Sequence, residues 1–250
     1  MKIGFIGTGV IATAMVQGIV HDGHDIFVTE RSRANSTRLA TMYANVTVAD
    51  SQTVVDQSET VIVCLLADTA RTVLPTLTFR PDQRVYSVMV DIYLAELAQL
   101  VDPAAAEGIF IPYPHIAQGG SPLLVYPSSE TLEAIFGSRN TLIPLPDESL
   151  LNSYLAAQAV LLPTVKLLHE TSLWLAERVG DTETAERFVR ILVGSYLMGV
   201  DDEQTGVLPT LVDALGTEGG LNAQLRDHFT TQGVYPILHD GLNQLETRLQ

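Results

Sequence analysis

Residues 7–12 read Gly-Thr-Gly-Val-Ile-Ala, the spacing G-x-G-x-x-G/A with Ala12 in the third place. Small residues in that order can hold a pyrophosphate. Gly7 permits a tight turn, Gly9 lets backbone approach the phosphates, and Ala12 lets a helix pack closely on the preceding strand. The free N–H groups at the start of that helix, with their partial positive charge, favour an anion. Thr8, Val10 and Ile11 complete the turn. A glycine pattern alone is weak, but this one follows the apolar run "KIGFI" and opens the helical run "IATAMVQGIVHDG", which ends near Gly23. The plainer reading of the same residues is a strand-to-helix turn with no ligand.

A second group of polar residues closes the next strand, "DIFVTE", residues 25–30. Glu30 can accept hydrogen bonds from a ribose 2′-hydroxyl, as an NAD site requires. Arg31, Ser32 and Arg33 can instead grip a 2′-phosphate, as an NADP site requires. Three donors against one carboxylate tilt the reading toward NADP. The competing reading makes Ser32 a helix cap and leaves the arginines solvated.

The third group is "IPYPHIAQGGSPLLVYP", residues 111–127, directly after a strand. A rigid proline-bearing loop at a strand end is well placed to hold a small substrate. Pro112 is expected to contact it, and His115 or Tyr113 to supply a proton. A surface turn with a solvated histidine stands against this in equal measure.

Strands and helices must alternate to bring these groups together. "KIGFI", "DIFVTE", "VTVA", "TVIVCLL", "QRVYSVMV" and "GIFIPYP" read as strands. "NSTRLATMYA", "SQTVVDQS", "DTARTVLPTL" and "IYLAELAQLV" read as the helices between them, with Asp68 as a helix cap. That alternation predicts a doubly wound parallel sheet with ligands outside the carboxyl ends of its strands. Leu65, Leu66 and Asp68 then fall near the cofactor, and residues 112–120 near the substrate. Cys64, the one cysteine, lies in an apolar run and reads as a small core residue.

From Glu148 the strand signals stop. About five helices are expected, with Pro163 as a kink or helix start and "PLPDESL" as the link between domains. In "TETAERFVRILVGSYLMGVDD" the spacing of Phe188, Ile191, Leu192, Tyr196 and Met198 predicts one or two buried helix faces. Trp174 and His169 read as core or interface residues. So much apolar helix in about 100 residues exceeds what a small bundle buries alone. A second subunit would cover it.

The expected class is therefore α/β. A Rossmann-type doubly wound sheet in residues 1–147 is followed by an all-helical dimerisation domain in residues 148–250.

The 250 residues carry a net charge of −15, with 29 acidic and 14 basic side chains, which disfavours a nucleic-acid partner. Hydrophobic residues make up 46%, enough for a substantial core. A single cysteine allows no intramolecular disulfide, and a reducing, cytoplasmic setting is expected. The apolar N-terminus imitates a secretory signal, but Gly4, Gly7 and Gly9 fit a strand and turn better. No membrane span and no metal site are expected.

Together these segments resemble the pyrroline-5-carboxylate reductase family over nearly the full length of the chain. "IGFIGTGVIATAM" looks like that family's opening cofactor motif. "IPYPHIAQGG" lies where the family has a Met-Pro-Asn-Thr-Pro loop. "GTEGGLNAQLRDHFTTQGVYPILHDGLNQL" resembles its C-terminal signature, a Ser-Pro-Gly-Gly-Thr-Thr loop and the helices after it. The resemblance implies reduction of a cyclic imine to proline with NAD(P)H, and a dimer interlocked through the helical domain. It also implies substrate contacts from Thr217, Gly219, Gly220 and Asn222.

The substrate segments depart from the pattern. Tyr113 stands for the family's Asn, "CLL" for its Val-Lys-Pro, and "AVLLP" for its Ser-Gly-Ser-Gly-Pro. Asn222 stands for the second Thr of its glycine loop, the one that donates a hydrogen bond near the imine. Asn222 can still donate a hydrogen bond, though it is no practical acid. Two alternatives therefore stay open beside the imine reductase. One is an oxidoreductase of another imine or of a hydroxy or keto acid. The other is a nucleotide-binding dimer without catalysis.

Overall fold

The computed structural model describes residues 1–199 and 205–249. They divide into two compact units, Met1–Leu151 and Asn152–Gln250.

The first unit begins with β1 (Lys2–Ile6), α1 (Val10–Ile19), β2 (Asp25–Thr29), α2 (Arg33–Met42), β3 (Val46–Ala49) and α3 (Ser51–Gln57). It continues with β4 (Thr60–Val63), α4 (Ala67–Val73), β5 (Arg84–Ser87), α5 (Leu94–Leu100) and β6 (Ala105–Ile111). Two further strands follow, β7 (Pro122–Tyr126) and β8 (Thr141–Pro144), with α6 (Glu130–Leu132) and a π-helical turn (Glu133–Gly137) between them.

All eight strands form one sheet in the order β3-β2-β1-β4-β5-β6-β7-β8. The first six are parallel. β7 pairs antiparallel with β6, through Ile109 opposite Tyr126 and Ile111 opposite Leu124, and β8 runs parallel to β7. The fold is thus the expected doubly wound sheet, extended by two strands, β7 and β8, that the sequence pattern does not predict. "PLLVY" gives little strand signal of its own because it opens with Pro122 directly after Gly119, Gly120 and Ser121. Its apolar residues bury only once paired to β6.

Period-2 alternation splits the core between the two faces of the sheet. Ile3, Phe5, Ile26, Val28, Ile62, Tyr86 and Phe110 pack with Met15, Val16 and Ile116 on one face. Ile6, Val61, Val63 and Val85 pack with Val54, Leu74, Ile92 and Leu97 on the other. Asp50 caps α3, its carboxylate accepting from the Thr53 N–H at 3.0 Å and the Thr53 hydroxyl at 2.6 Å.

The second unit contains α7 (Leu151–Ala157, whose first residue closes the first unit), α8 (Leu161–Val179), α9 (Thr182–Met198), α10 (Val207–Leu215), α11 (Leu221–Thr231) and α12 (Val234–Leu249). Among the described residues it has six α-helices where about five were expected. Pro163 sits in the first turn of α8, where its missing N–H removes no helical bond. Gly180 ends that helix in the left-handed conformation, and Asp181 caps α9 with the same pair of bonds that Asp50 makes to α3. The expected helix through Asp202 is observed to Met198, and residues 200–202 lie outside the described residues.

Among the described residues, the apolar side chains of this unit do not form a buried cluster of their own. Ala185 and Val189 are buried along α9, whereas Phe188, Ile191, Leu192, Tyr196 and Met198 are exposed, contrary to the buried faces expected from their spacing. Trp174 is exposed as well and carries the Arg178 guanidinium 3.9 Å from its ring, and His169 is exposed, so neither is a core residue of this chain. The helical period marks which residues share a face but not what covers it. No helix among the described residues is long and apolar enough to cross a membrane.

Candidate functional site

β1 and β4 are neighbours in the sheet although their connections lead to opposite sides, which makes their carboxyl ends the switch point of the fold. Gly7 turns the chain there with φ +99, a conformation that favours glycine. A Cβ at Gly7 would stand 2.3 Å from the Cys64 carbonyl oxygen, so the β1 turn and the end of β4 touch through backbone. Gly9 follows as the extended N-cap of α1, with open space where its Cβ would be and no side chain capping the helix. Gly9 is exposed, Val10 is 73% exposed, and Leu66 is 80% exposed. Val90, at the end of β5, is exposed too. An uncapped helix start framed by exposed apolar side chains is what a dinucleotide's phosphates and flat ring require, so the residues present fit that group.

The remaining residues of the turn face inward. Ala12 is buried against the sheet and Ile11 packs on the core, so both can offer a ligand only backbone. Thr8 is 1% exposed, and its hydroxyl donates to the Thr29 carbonyl at 2.6 Å. The Gly7 N–H donates to the Thr29 hydroxyl at 2.8 Å, and the Asn35 side-chain amide donates to the Thr8 carbonyl at 2.9 Å. The sequence reading missed Thr29 and Asn35. Their bonds join positions 21 to 27 residues apart, and no short-range pattern marks them.

Glu30, Arg31 and Arg33 are exposed at the turn between β2 and α2. Among the described residues neither arginine, nor Arg38 one turn further along α2, is part of an ion pair. Ser32 occupies the N-cap position of α2, but its hydroxyl makes no capping bond. Asp68 is not the cap of α4, since that position is Leu66. It lies in the first turn, solvent-facing, 3.4 Å from Arg71, whose guanidinium also binds Glu96 at 2.6 Å.

Cys64 lies just past β4 rather than within it, and packs against the core. Burial pushes its thiol well above the ordinary range, so it is held as the unreactive thiol. Among the described residues no group of three or more His, Cys, Asp or Glu side chains is placed to hold a metal ion.

The loop after β6 is a short 3-10 turn, Pro114–Ala117, held to α1. Ile116 is buried, and its carbonyl oxygen lies 2.6 Å from where a Cβ of Gly18 would stand. The Arg139 guanidinium spans the contact, donating to the Gly18 carbonyl at 2.8 Å and the Gln118 carbonyl at 3.2 Å. Pro112 is buried, Tyr113 is half-buried and His115 is exposed. Burial raises the Tyr113 phenol above its ordinary value, so it remains a proton-bearing donor across the neutral range.

In the second unit, Thr217, Gly219 and Gly220 form the turn before α11. The Gly220 N–H donates to the Thr217 carbonyl at 2.9 Å, and Gly219 has φ +73. Asn222 is exposed in the first turn of α11, whose N-cap Gly220 supplies no side chain.

The fold that carries these residues is shared with known proteins. Residues 2–94 match the family model described as NADP oxidoreductase, coenzyme F420-dependent. No curated protein sequence matches the chain. Among solved structures, the pyrroline-5-carboxylate reductase of Streptococcus pyogenes is 18% identical with a TM-score of 0.77, covering 100% of this chain and 98% of that one. The Plasmodium falciparum pyrroline carboxylate reductase, solved with NADP bound, is 15% identical with a TM-score of 0.78, covering 100% and 97%. An imine reductase from a Pseudomonas species is 17% identical with a TM-score of 0.61, covering 97% and 87%. The fold of this chain is therefore that of the pyrroline-5-carboxylate reductases along its whole length.

Proposed function

We propose that this chain is an NAD(P)-dependent oxidoreductase that reduces the C=N bond of a small cyclic imine of the pyrroline-5-carboxylate kind, with NADP the preferred nucleotide, and that it works as a cytoplasmic homodimer. The observation that carries the reading is the uncapped Gly9–Val10 start of α1 at the switch point, with Arg31 and Arg33, in no ion pair among the described residues, just past the neighbouring strand. The first fits a pyrophosphate and the second a 2′-phosphate. Likeness in fold to reductases of pyrroline carboxylate and of imines supports the C=N substrate.

A bound nicotinamide supplies the hydride. The chain's own part is to hold the imine, exclude water and place a proton donor near the nitrogen. Tyr113, half-buried and carrying its proton across the neutral range, is the donor this reading favours over the exposed His115. The Gly219–Gly220 turn, with Thr217 and Asn222, is the proposed contact for the substrate carboxylate. The replacement of the family's Asn and Thr by Tyr113 and Asn222 favours a second reading, an oxidoreductase of a different imine or of a keto acid.

Purified protein mixed with NADPH or NADH and a panel of imines and keto acids separates these readings by loss of nicotinamide absorbance. Turnover of pyrroline-5-carboxylate supports the first, and turnover only of another substrate supports the second. Tight nucleotide binding with no turnover across the panel makes the chain a nucleotide-binding protein without catalysis. Arg31→Ala with Arg33→Ala is expected to weaken NADPH binding by about tenfold or more while leaving NADH nearly unchanged, since charge-assisted bonds to a phosphate are lost.

A further inference from the structure

The hydrogen bonds beneath the glycine turn form a continuous path between two surfaces that the dinucleotide reading assigns to different parts of one ligand. Thr29, 3% exposed at the end of β2, accepts the Gly7 N–H at 2.8 Å, and its carbonyl accepts the Thr8 hydroxyl at 2.6 Å. Asn35 lies in the first turn of α2, two residues after Arg33, and its side-chain amide reaches the Thr8 carbonyl at 2.9 Å. The Gly7 N–H is consumed within the protein, while Gly9, the uncapped N-cap of α1, faces open space. The arginine-bearing start of α2 is bonded directly to this glycine turn.

We infer that Asn35 is a positioning residue, tying the phosphate turn to the start of α2 and thereby setting how strongly the chain prefers a 2′-phosphorylated dinucleotide. Asn35 need not touch the nucleotide for this. Its bond fixes the span between Gly9 and Arg31–Arg33, and a ligand that carries a 2′-phosphate as well as a pyrophosphate needs both sites at one separation. A dinucleotide without the 2′-phosphate makes no such demand. Thr29 acts one step earlier, by orienting the turn itself, so its hydroxyl should matter equally to both nucleotides.

The inference rests on the nicotinamide reading, and calorimetric titration of the full chain with NADPH and NADH tests the two separately. Asn35→Ala removes a partly buried bond without filling or emptying the core. It is expected to raise the NADPH dissociation constant by about three- to tenfold, the equivalent of one hydrogen bond, and that of NADH by less. The ratio of the two constants should therefore shift by about threefold, while the melting temperature of the ligand-free protein falls only by the few degrees that one lost hydrogen bond costs. Thr29→Val should weaken both nucleotides alike, and Thr29→Ser, which keeps the hydroxyl, should bind both as the wild type does.

An unchanged ratio in Asn35→Ala, whether affinity falls or not, overturns the inference while leaving the nicotinamide reading intact. Loss of binding in Thr29→Ser equal to that in Thr29→Val overturns the role of the hydroxyl. A wild-type protein that binds neither nucleotide overturns the nicotinamide reading itself.

Discussion

The two units of this chain treat apolar side chains in opposite ways. In the first, strands alternate so that every second residue meets one of two packed layers, and the large exposed apolar side chains include Val10, Leu66 and Val90 at the ends of β1, β4 and β5. Exposure there falls at the proposed nucleotide site. In the second, exposure runs along whole helices: Leu161, Leu162 and Val165 on α8, Phe188, Ile191 and Leu192 on α9, Leu208 and Val212 on α10. A sheet covered on both faces closes its own core, whereas helices with broad apolar faces need another surface. The first unit buries its own core, and the exposed helix faces of the second are what the proposed dimer would cover.

The largest expected effect tests that contrast directly. Phe188→Asp with Ile191→Asp should leave the first unit folded but dissociate the proposed dimer, raising its dissociation constant at least about a hundredfold, since each fully buried side chain contributes about 1.5–3 kcal/mol. Light scattering across a concentration series reads this out. An unchanged assembly would place the partner surface elsewhere.

Glycine substitutions sharpen the comparison next. Gly7→Ala combines a positive φ with a Cβ at 2.3 Å from the Cys64 carbonyl. It should cost on the order of 3 kcal/mol and abolish nucleotide binding. Gly219→Ala also meets a positive φ, but into open space, and should cost only about 1 kcal/mol. Urea denaturation of the two variants measures the difference, and equal costs would mean that the two turns are equally constrained.

The smallest effect is a pH dependence confined to the first unit. His24 is buried before β2, with neither ring nitrogen hydrogen-bonded among the described residues. Its pKa is lowered by burial and by the chain's N-terminal ammonium, against an opposing pull from Asp22. The folded state therefore favours the neutral ring. Its stability contribution is full above the unfolded-state value near 6.5 and is lost as pH falls below it, by at most about 1.4 kcal/mol per pH unit. His24→Gln should flatten the fall in melting temperature between pH 7 and about pH 5. An identical slope in the variant would show that His24 does not titrate on unfolding.

The sequence by itself determined what short-range pattern can carry. The G-x-G-x-x-A turn needs only a strand before it and a helix after it, and period-2 and period-3.6 spacing located six of the eight strands, α1 to α5 and the helical character of the second unit, but not α6. The arginines after β2 were legible for the same reason, because chain order alone puts them at a strand end.

Tertiary structure decided the rest. β7 and β8 became strands only by pairing outward from β6, and the loop that carries Tyr113 became rigid only because Gly18 admits the Ile116 carbonyl and Arg139 spans the contact. The inward turn of Thr8, and its link through Thr29 and Asn35 to the start of α2, join residues more than 20 positions apart. Burial likewise belongs to the folded chain. The spacing of Phe188 and Ile191 states that they share a helix face, while what covers that face depends on surfaces that no local spacing encodes.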